Sequence, residues 1–240
     1  GTPMMTVDNS ACSRVSPDYV GKSEKTFGRY RKKGVALAVP EVGLDARKKI
    51  LELGNKNSFF CVASFTTEEM KNVKGLDLLR HVDLLAANID EAASASGLKD
   101  RPVDPEQDTG PDPDPDLIEI VKTSIRSLLI IKQSMYISIT AGRSGSWVWD
   151  GKDICYLPAI QVDAVSTAGA GDAFLAGLIC GLTAGLGFSR AHEIGVLTGG
   201  LSVTSPHTIH KGVDKQSLFE FARSGSLGIS DEVKKLLEQE

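Results

Sequence analysis

Three short apolar runs punctuate the first part of the chain, and segments with helical signals lie between and after them. This alternation constrains the fold more than any other feature. Residues 35–39 (VALAV) lie between Gly34 and Pro40, residues 59–65 read FFCVASF, and residues 82–86 read VDLLA. Short apolar runs of this kind fit strands buried on both faces. Residues 44–53 place Leu44, Ile50 and Leu51 at helical spacing with Arg47, Lys48 and Lys49 opposite, and Gly54 follows as a stop. Thr66-Thr67-Glu68-Glu69 reads as a helix start with an acidic first turn, and residues 91–96 as a short helix ended by Gly97. Later segments continue the pattern: a helix over 117–132, strands over 136–140 and 146–149 around a Gly-rich turn, and helices over 172–186, 190–203 and 215–222. Strand–helix alternation predicts an α/β fold, a mainly parallel sheet with helices on both faces. Helix 172–186 carries Ala173, Ala176, Gly177, Cys180 and Gly181, a face small enough to lie close against a sheet.

One segment breaks the alternation. Residues 99–116 end in three Pro-Asp pairs, which suit neither a helix nor a central strand, and read as a flexible insert. Its carboxylates lack the ordered ligand spacing of a calcium loop. The 240 residues otherwise suffice for one α/β domain, read here as spanning 1–240. A net charge of −4 argues against nucleic acid or an anionic membrane as the main partner. No stretch approaches the ~20 apolar residues of a membrane span. The four cysteines are scattered with no C-x-x-C, and no signal-peptide pattern opens the chain, so reduced thiols and a cytoplasmic location are expected.

The chemistry concentrates in residues 165–174 (VSTAGAGDAF). A β-branched approach over 160–165 runs into a turn of small residues that ends at Asp172, where a helix begins. Glycines let backbone N–H groups converge on one point, and the following helix N-terminus adds unpaired donors and partial positive charge. Together they make an anion site suited to phosphate. A carboxylate at the edge of that site would repel phosphate but can take a proton from an attacking hydroxyl. The same spacing also fits a tight turn with Asp172 as an ordinary first-turn residue.

Thr167 to Phe174, with its unbroken Gly169-Ala170-Gly171-Asp172-Ala173-Phe174, resembles the C-terminal signature of the ribokinase-like (PfkB) family of sugar and nucleoside kinases. The resemblance implies a ribokinase-like fold and ATP-dependent phosphorylation of a primary hydroxyl on a sugar or related small molecule. It makes Gly169, Ala170 and Gly171 the anion hole and Asp172 the general base. The chain departs from the family in two places. Ser166 stands where many members have the first Asp of Asp-Thr-x-Gly-Ala-Gly-Asp, and His207-Thr208 replaces a common Gly-Ala; both weaken the expectation of a monovalent-cation site. The family's opening strand, early glycine pair and lid are not recognisable, so the chain corresponds to roughly the last two-thirds of a member. Acceptor choice resides mainly in that absent portion, and members often form homodimers through the lid. A non-catalytic nucleotide- or sugar-binding regulator on the same fold is the alternative reading.

Three further segments enter the expected site. Asn88-Ile89-Asp90-Glu91 has capping-box spacing; it is also similar to the family's Asn-x-x-Glu motif, which implies that Asn88 and Glu91 organise Mg²⁺ near the phosphates. Thr140-Ala141-Gly142-Arg143-Ser144-Gly145 reads as a hairpin turn. It resembles the family's Thr-x-Gly-x-x-Gly, which implies that Thr140, Gly142 and Gly145 lie along the nucleotide. Thr198, Gly199 and Ser202 fall where the resemblance places residues flanking adenine. Gly21-Lys22-Ser23 lacks the upstream glycine and strand of a P-loop, and His207 and His210 lack further metal ligands nearby.

Overall fold

The apolar runs become strands buried from both sides. A computed structural model describes residues 11–72, 75, 77–98, 113–225 and 228–238. Two short helices, α1 (Pro17–Gly21) and α2 (Glu24–Arg29), precede the first strand. The chain then alternates through β1 (Val35–Ala38), α3 (Leu44–Lys56), β2 (Phe60–Ser64), α4 (Thr67–Lys71), β3 (Leu84–Asn88), α5 (Ile89–Ser96), α6 (Pro115–Leu129) and β4 (Tyr136–Thr140). A hairpin adds β5 (Ser146–Trp149) and β6 (Ile154–Leu157), and four helices close the chain: α7 (Ala170–Thr183), α8 (Phe188–Ser202), α9 (Lys215–Ser224) and α10 (Asp231–Glu238). The six strands lie in sequence order. β1 to β4 pair in parallel, while β5 and β6 join antiparallel.

Strand alternation sends side chains to two cores. Cys61, Ala63, Leu85, Ile137 and Ile139 face α3, α5 and α6. Val62 and Leu84 face the other way, onto Phe174, Leu178, Ile194 and Leu197 of α7 and α8. The helices between the parallel strands lie on one face, as crossovers of a single hand between successive neighbouring strands require. The later helices therefore cover the other, which is the expected two-faced α/β arrangement.

Three expectations need correction. Helix α6 begins at Pro115, inside the segment read as an insert: Pro at the first helical position costs no hydrogen bond, and Asp114 Oδ1 accepts from Asp116 N at 2.8 Å. Residues 99–112 of that expected insert lie outside the described residues. β6, which the sequence reading leaves out, is the strand that precedes the small-residue turn before α7, and the β-branched approach over 160–165 has no regular structure. Pro158 follows β6 directly, and the N–H groups of Val165 and Ser166 both donate to Val203 O instead of to a ladder. Finally, the small-residue face of α7 packs on a helix. A Cβ at Gly177 would strike Thr198 Oγ1, and one at Gly181 would come within 2.8 Å of Ala191 Cα, both in α8. The helix pair α7–α8 is thus held at close range, which fixes the first turn of α7.

Helix α10 is tied in by a buried carboxylate. Glu193 on α8 accepts from Arg190 Nη1 at 2.9 Å, and from both the backbone N–H and hydroxyl of Ser230 at 2.8 Å, at the start of α10.

Candidate functional site

A cavity of about 350 Å³ opens at the carboxyl ends of β3 and β4, between the β4–β5 turn and the first turn of α7. Open α/β sheets place ligands at this end of their strands. Asn88, Thr140, Gly142, Gly145, Ala170, Gly171 and Gly199 all line it, gathering four separate sequence segments.

One wall is the start of α7. Gly169 sits at φ +82° as the residue before the helix, a left-handed conformation that a side chain resists. A Cβ there would also lie 2.5 Å from Thr208 O, so only glycine fits where the 165–169 and 203–208 loops meet. Ala173 N donates to Gly169 O, and Ala170 N bends back to Thr167 O at 3.2 Å. Ala170 N–H is therefore spoken for. The first-turn amides of Gly171 and Asp172 have no such backbone partner among the described residues, as expected at a helix start. Gly171 has ordinary helical φ, and a Cβ on it would meet nothing within 4 Å. Asp172 is exposed beside this wall, and is not among the residues lining the enclosed cavity. Gly199 lets α8 approach: a Cβ there would be 3.3 Å from Phe174 Cβ and 3.5 Å from Ala170 O.

The opposite wall is the β4–β5 turn. Thr140 ends β4 and pairs with Ser146. Gly142 and Gly145 have φ +54° and +89°, and Ala141 N donates to Gly145 O at 2.9 Å to close the hairpin. A Cβ on Gly145 would stand 2.5 Å from Leu157 O, so β6 braces the turn from outside the cavity.

Asn88 and Glu91 form a capping box. Asn88 Oδ1 accepts from Glu91 N and Glu91 Oε2 accepts from Asn88 N, both at 2.8 Å. Burial pushes the Glu91 carboxyl up, against the Asn88 N–H bond that pulls it down. The box occupies only one Glu91 oxygen, so the other remains a hard donor of the type Mg²⁺ prefers. Among the described residues no group of three or more His, Cys, Asp or Glu side chains gathers as a metal cluster, His207 and His210 included.

Two residues expected at the nucleotide do not reach the cavity. Thr198 Oγ1 donates to Ile194 O at 2.7 Å and faces Gly177; Ser202 Oγ donates to Gly199 O at 2.7 Å. Both hydroxyls are bonded within their own helix, and Thr198 does so against Gly177 of α7. Arg143, Gln161 and Phe174 line the cavity without having been singled out from sequence. Only Arg143 carried a signal, its place inside the Gly-x-x-Gly turn.

His192 lies just beneath. It is fully buried, its Nε2 is 2.7 Å from Ser146 Oγ, and its ring meets Phe174 edge-on at 5.7 Å. Burial pushes the imidazole down from 6.5 to about 3. An unfolded histidine takes up a proton as pH falls through its ordinary value while the folded one does not, so protonation favours unfolding. This contribution to stability is complete above the unfolded value and drains away as pH falls toward the folded one. Between pH 7.5 and pH 5 the expected loss is about 2 kcal/mol. Urea midpoints at the two pH values check it: the drop should shrink by that amount in His192→Gln, and an equal drop in both proteins would contradict the assignment.

The comparisons with known proteins give the family and the fold. The model of the pfkB family carbohydrate kinases matches residues 29–216. The chain belongs to this family. Fructoselysine 6-kinase of Escherichia coli (strain K12) is 40% identical over 53 residues, 22% of this chain and 20% of that protein. The 2-dehydro-3-deoxygluconokinase of Bacillus subtilis (strain 168) is 34% identical over 76 residues, 31% of this chain and 24% of that one. Among solved structures, a putative ribokinase II from E. coli superposes with a TM-score of 0.69 at 16% identity, covering 92% of this chain and 66% of that one. A putative sugar kinase from Clostridium perfringens gives 0.68 at 17% identity, covering 87% and 59%. The likeness to these structures shows the ribokinase-like fold. The chain spans about a fifth of the curated relatives it matches and about three-fifths of the solved ones. Among the described residues no helix is long and apolar enough to cross a membrane.

Proposed function

We propose that this chain carries the phosphoryl-transfer half of a carbohydrate kinase, with ATP in the cavity and a sugar hydroxyl delivered beside Asp172. The observation that carries the reading is the first turn of α7. Gly171 offers an unpaired N–H at the cavity wall with open space where a side chain would stand, and the Asp172 carboxylate follows it. Family membership and two kinase relatives named for sugar-derived substrates support the same chemistry.

In this mechanism Asp172 accepts the proton of the acceptor hydroxyl as its oxygen attacks the γ-phosphorus. The bond from that phosphorus to the β–γ bridging oxygen breaks, and ADP leaves. The N–H groups of Gly171 and Asp172 stabilise the charge on the transferring group, which needs positioning and neutralisation more than covalent help. Thr140, Gly142 and Gly145 lie along the nucleotide on the hairpin wall, and Gly199 on the α8 side. Asn88 and the second oxygen of Glu91 would hold Mg²⁺, partly through water; the ion would neutralise phosphate charge. Sugars and sugar acids are the acceptor class, and the need for ATP fits a cytoplasmic location.

The test is ADP release by this chain with ATP, Mg²⁺ and a panel of hexoses, sugar acids and sugar amines. Acceptor-dependent ADP supports the kinase. ATP binding with no turnover on any acceptor, in this chain and in a version extended to the full length of its relatives, would favour the regulator reading; Ser166 in place of the usual Asp motivates it.

A further inference from the structure

The candidate cavity has a single charged side chain among its lining residues, Arg143. That is an unusual endowment for a cavity proposed to take a polyanion. The neighbouring titratable groups are the carboxylates Asp90, Glu91, Asp163 and Asp172 and the buried imidazole of His192, and the chain as a whole is net negative. Apart from the Mg²⁺ proposed at Asn88 and Glu91, bound phosphates would meet N–H dipoles on the α7 side and no protein cation but Arg143 among the described lining residues.

Arg143 is built to supply that cation. Its backbone sits in the one-turn 3₁₀ segment 142–144, flanked by the positive-φ glycines. Ser144 N donates to Ala141 O at 3.0 Å, Tyr156 Oη donates to Ser144 O at 3.3 Å, and Gly145 rests against Leu157. The stem therefore starts from a fixed point on the hairpin wall. The side chain itself is exposed, and no carboxylate among the described residues forms an ion pair with it. The buried guanidinium of Arg47 shows the contrast: it is paired with Glu69 and bonded to Ser64 O. A guanidinium left unpaired on the wall of an apolar, glycine-lined cavity has donors suited to two phosphate oxygens at once.

We propose that Arg143 is the cationic contact for the polyphosphate tail of the nucleotide, acting from the hairpin wall opposite the α7 amides. The inference rests on the nucleotide reading above and adds a specificity residue to it. Arg143 would make affinity depend on the number of phosphates, with adenosine unaffected.

The experiment is calorimetric titration of wild type, Arg143→Ala and Arg143→Lys with a non-hydrolysable ATP analogue, ADP and adenosine, each in Mg²⁺. The expected result is a loss of about tenfold or more for the triphosphate and ADP in Arg143→Ala, from losing a charged hydrogen bond. Arg143→Lys should recover part of it, and adenosine affinity should be the same in all three proteins. Raising KCl should weaken the wild type more than Arg143→Ala. Equal triphosphate affinity in wild type and Arg143→Ala would overturn the inference while leaving the nucleotide reading intact. An equal loss for adenosine would also overturn it, since the contact would then not be to phosphate. A folded wild-type chain that binds none of the three would remove the nucleotide reading and the inference with it.

Discussion

Replacing Asp172 by Asn is expected to leave a folded chain that binds nucleotide and has lost ~10²–10⁴ of its turnover, the range for removal of a positioned general base. The swap keeps shape and removes only the charge and the proton-accepting capacity. Asp172 is exposed, and no side-chain hydrogen bond among the described residues holds it, so the surrounding structure does not depend on it. Its structural contribution is that of a carboxylate in a first helical turn, about 0.3–1 kcal/mol. The melting temperature should therefore move little, and the nucleotide KM should stay near the wild-type value. Acceptor-dependent ADP release measures the effect. Unchanged release in Asp172→Asn would remove Asp172 from the reaction.

The second large effect comes from one methyl group. Gly171→Ala should fold at least as well as the wild type, because alanine favours helix over glycine by up to ~1 kcal/mol and nothing lies within 4 Å of the new Cβ. The same empty space is where the phosphate must approach Gly171 N–H. A methyl there should block that approach, costing a contact of the kind worth ~10²–10³ in kcat. Gly169→Ala is the informative contrast. It would force a side chain into φ +82° and against Thr208 O, so it should lower stability and activity together. A Gly171→Ala protein with a raised or unchanged melting temperature and full kinase activity would show that the phosphate does not sit at this turn.

Sequence patterns gave the sheet well because the parallel strands are buried on both faces and so read as apolar runs. β6 escaped because it is a four-residue edge strand of half-buried residues, ICYL, without alternation or a turn signal. The stretch 160–165 has the β-branched composition of a strand, yet its backbone donors are captured by Val203, a tertiary contact that no local pattern announces. Helix α10 rests on Val233 and Leu237 and on the Glu193–Ser230 bonds across 37 residues, which are equally invisible locally. At the site, the glycine turns and Asn88 were legible because each sits at a strand end or helix start, where backbone geometry dictates residue type. Thr198 and Ser202 do not line the cavity because helical phase decides which side faces it, and on α8 that side carries Val196, Gly199 and Gly200. Arg143 was passed over because the signal of that turn lies in its glycines; what singles out the arginine is that no other described residue lining the cavity is charged.

The central claim is that the cavity between the β4–β5 turn and the start of α7 takes a nucleoside triphosphate whose terminal phosphate meets the Gly171 amide. Calorimetric titration of this chain and of Gly171→Ala with a non-hydrolysable ATP analogue, with and without Mg²⁺, tests it most directly. Mg²⁺-dependent binding by the wild type, strongly weakened in the folded Gly171→Ala variant, is the predicted result. Binding of equal strength in both proteins, or none by a folded wild-type chain, would contradict it.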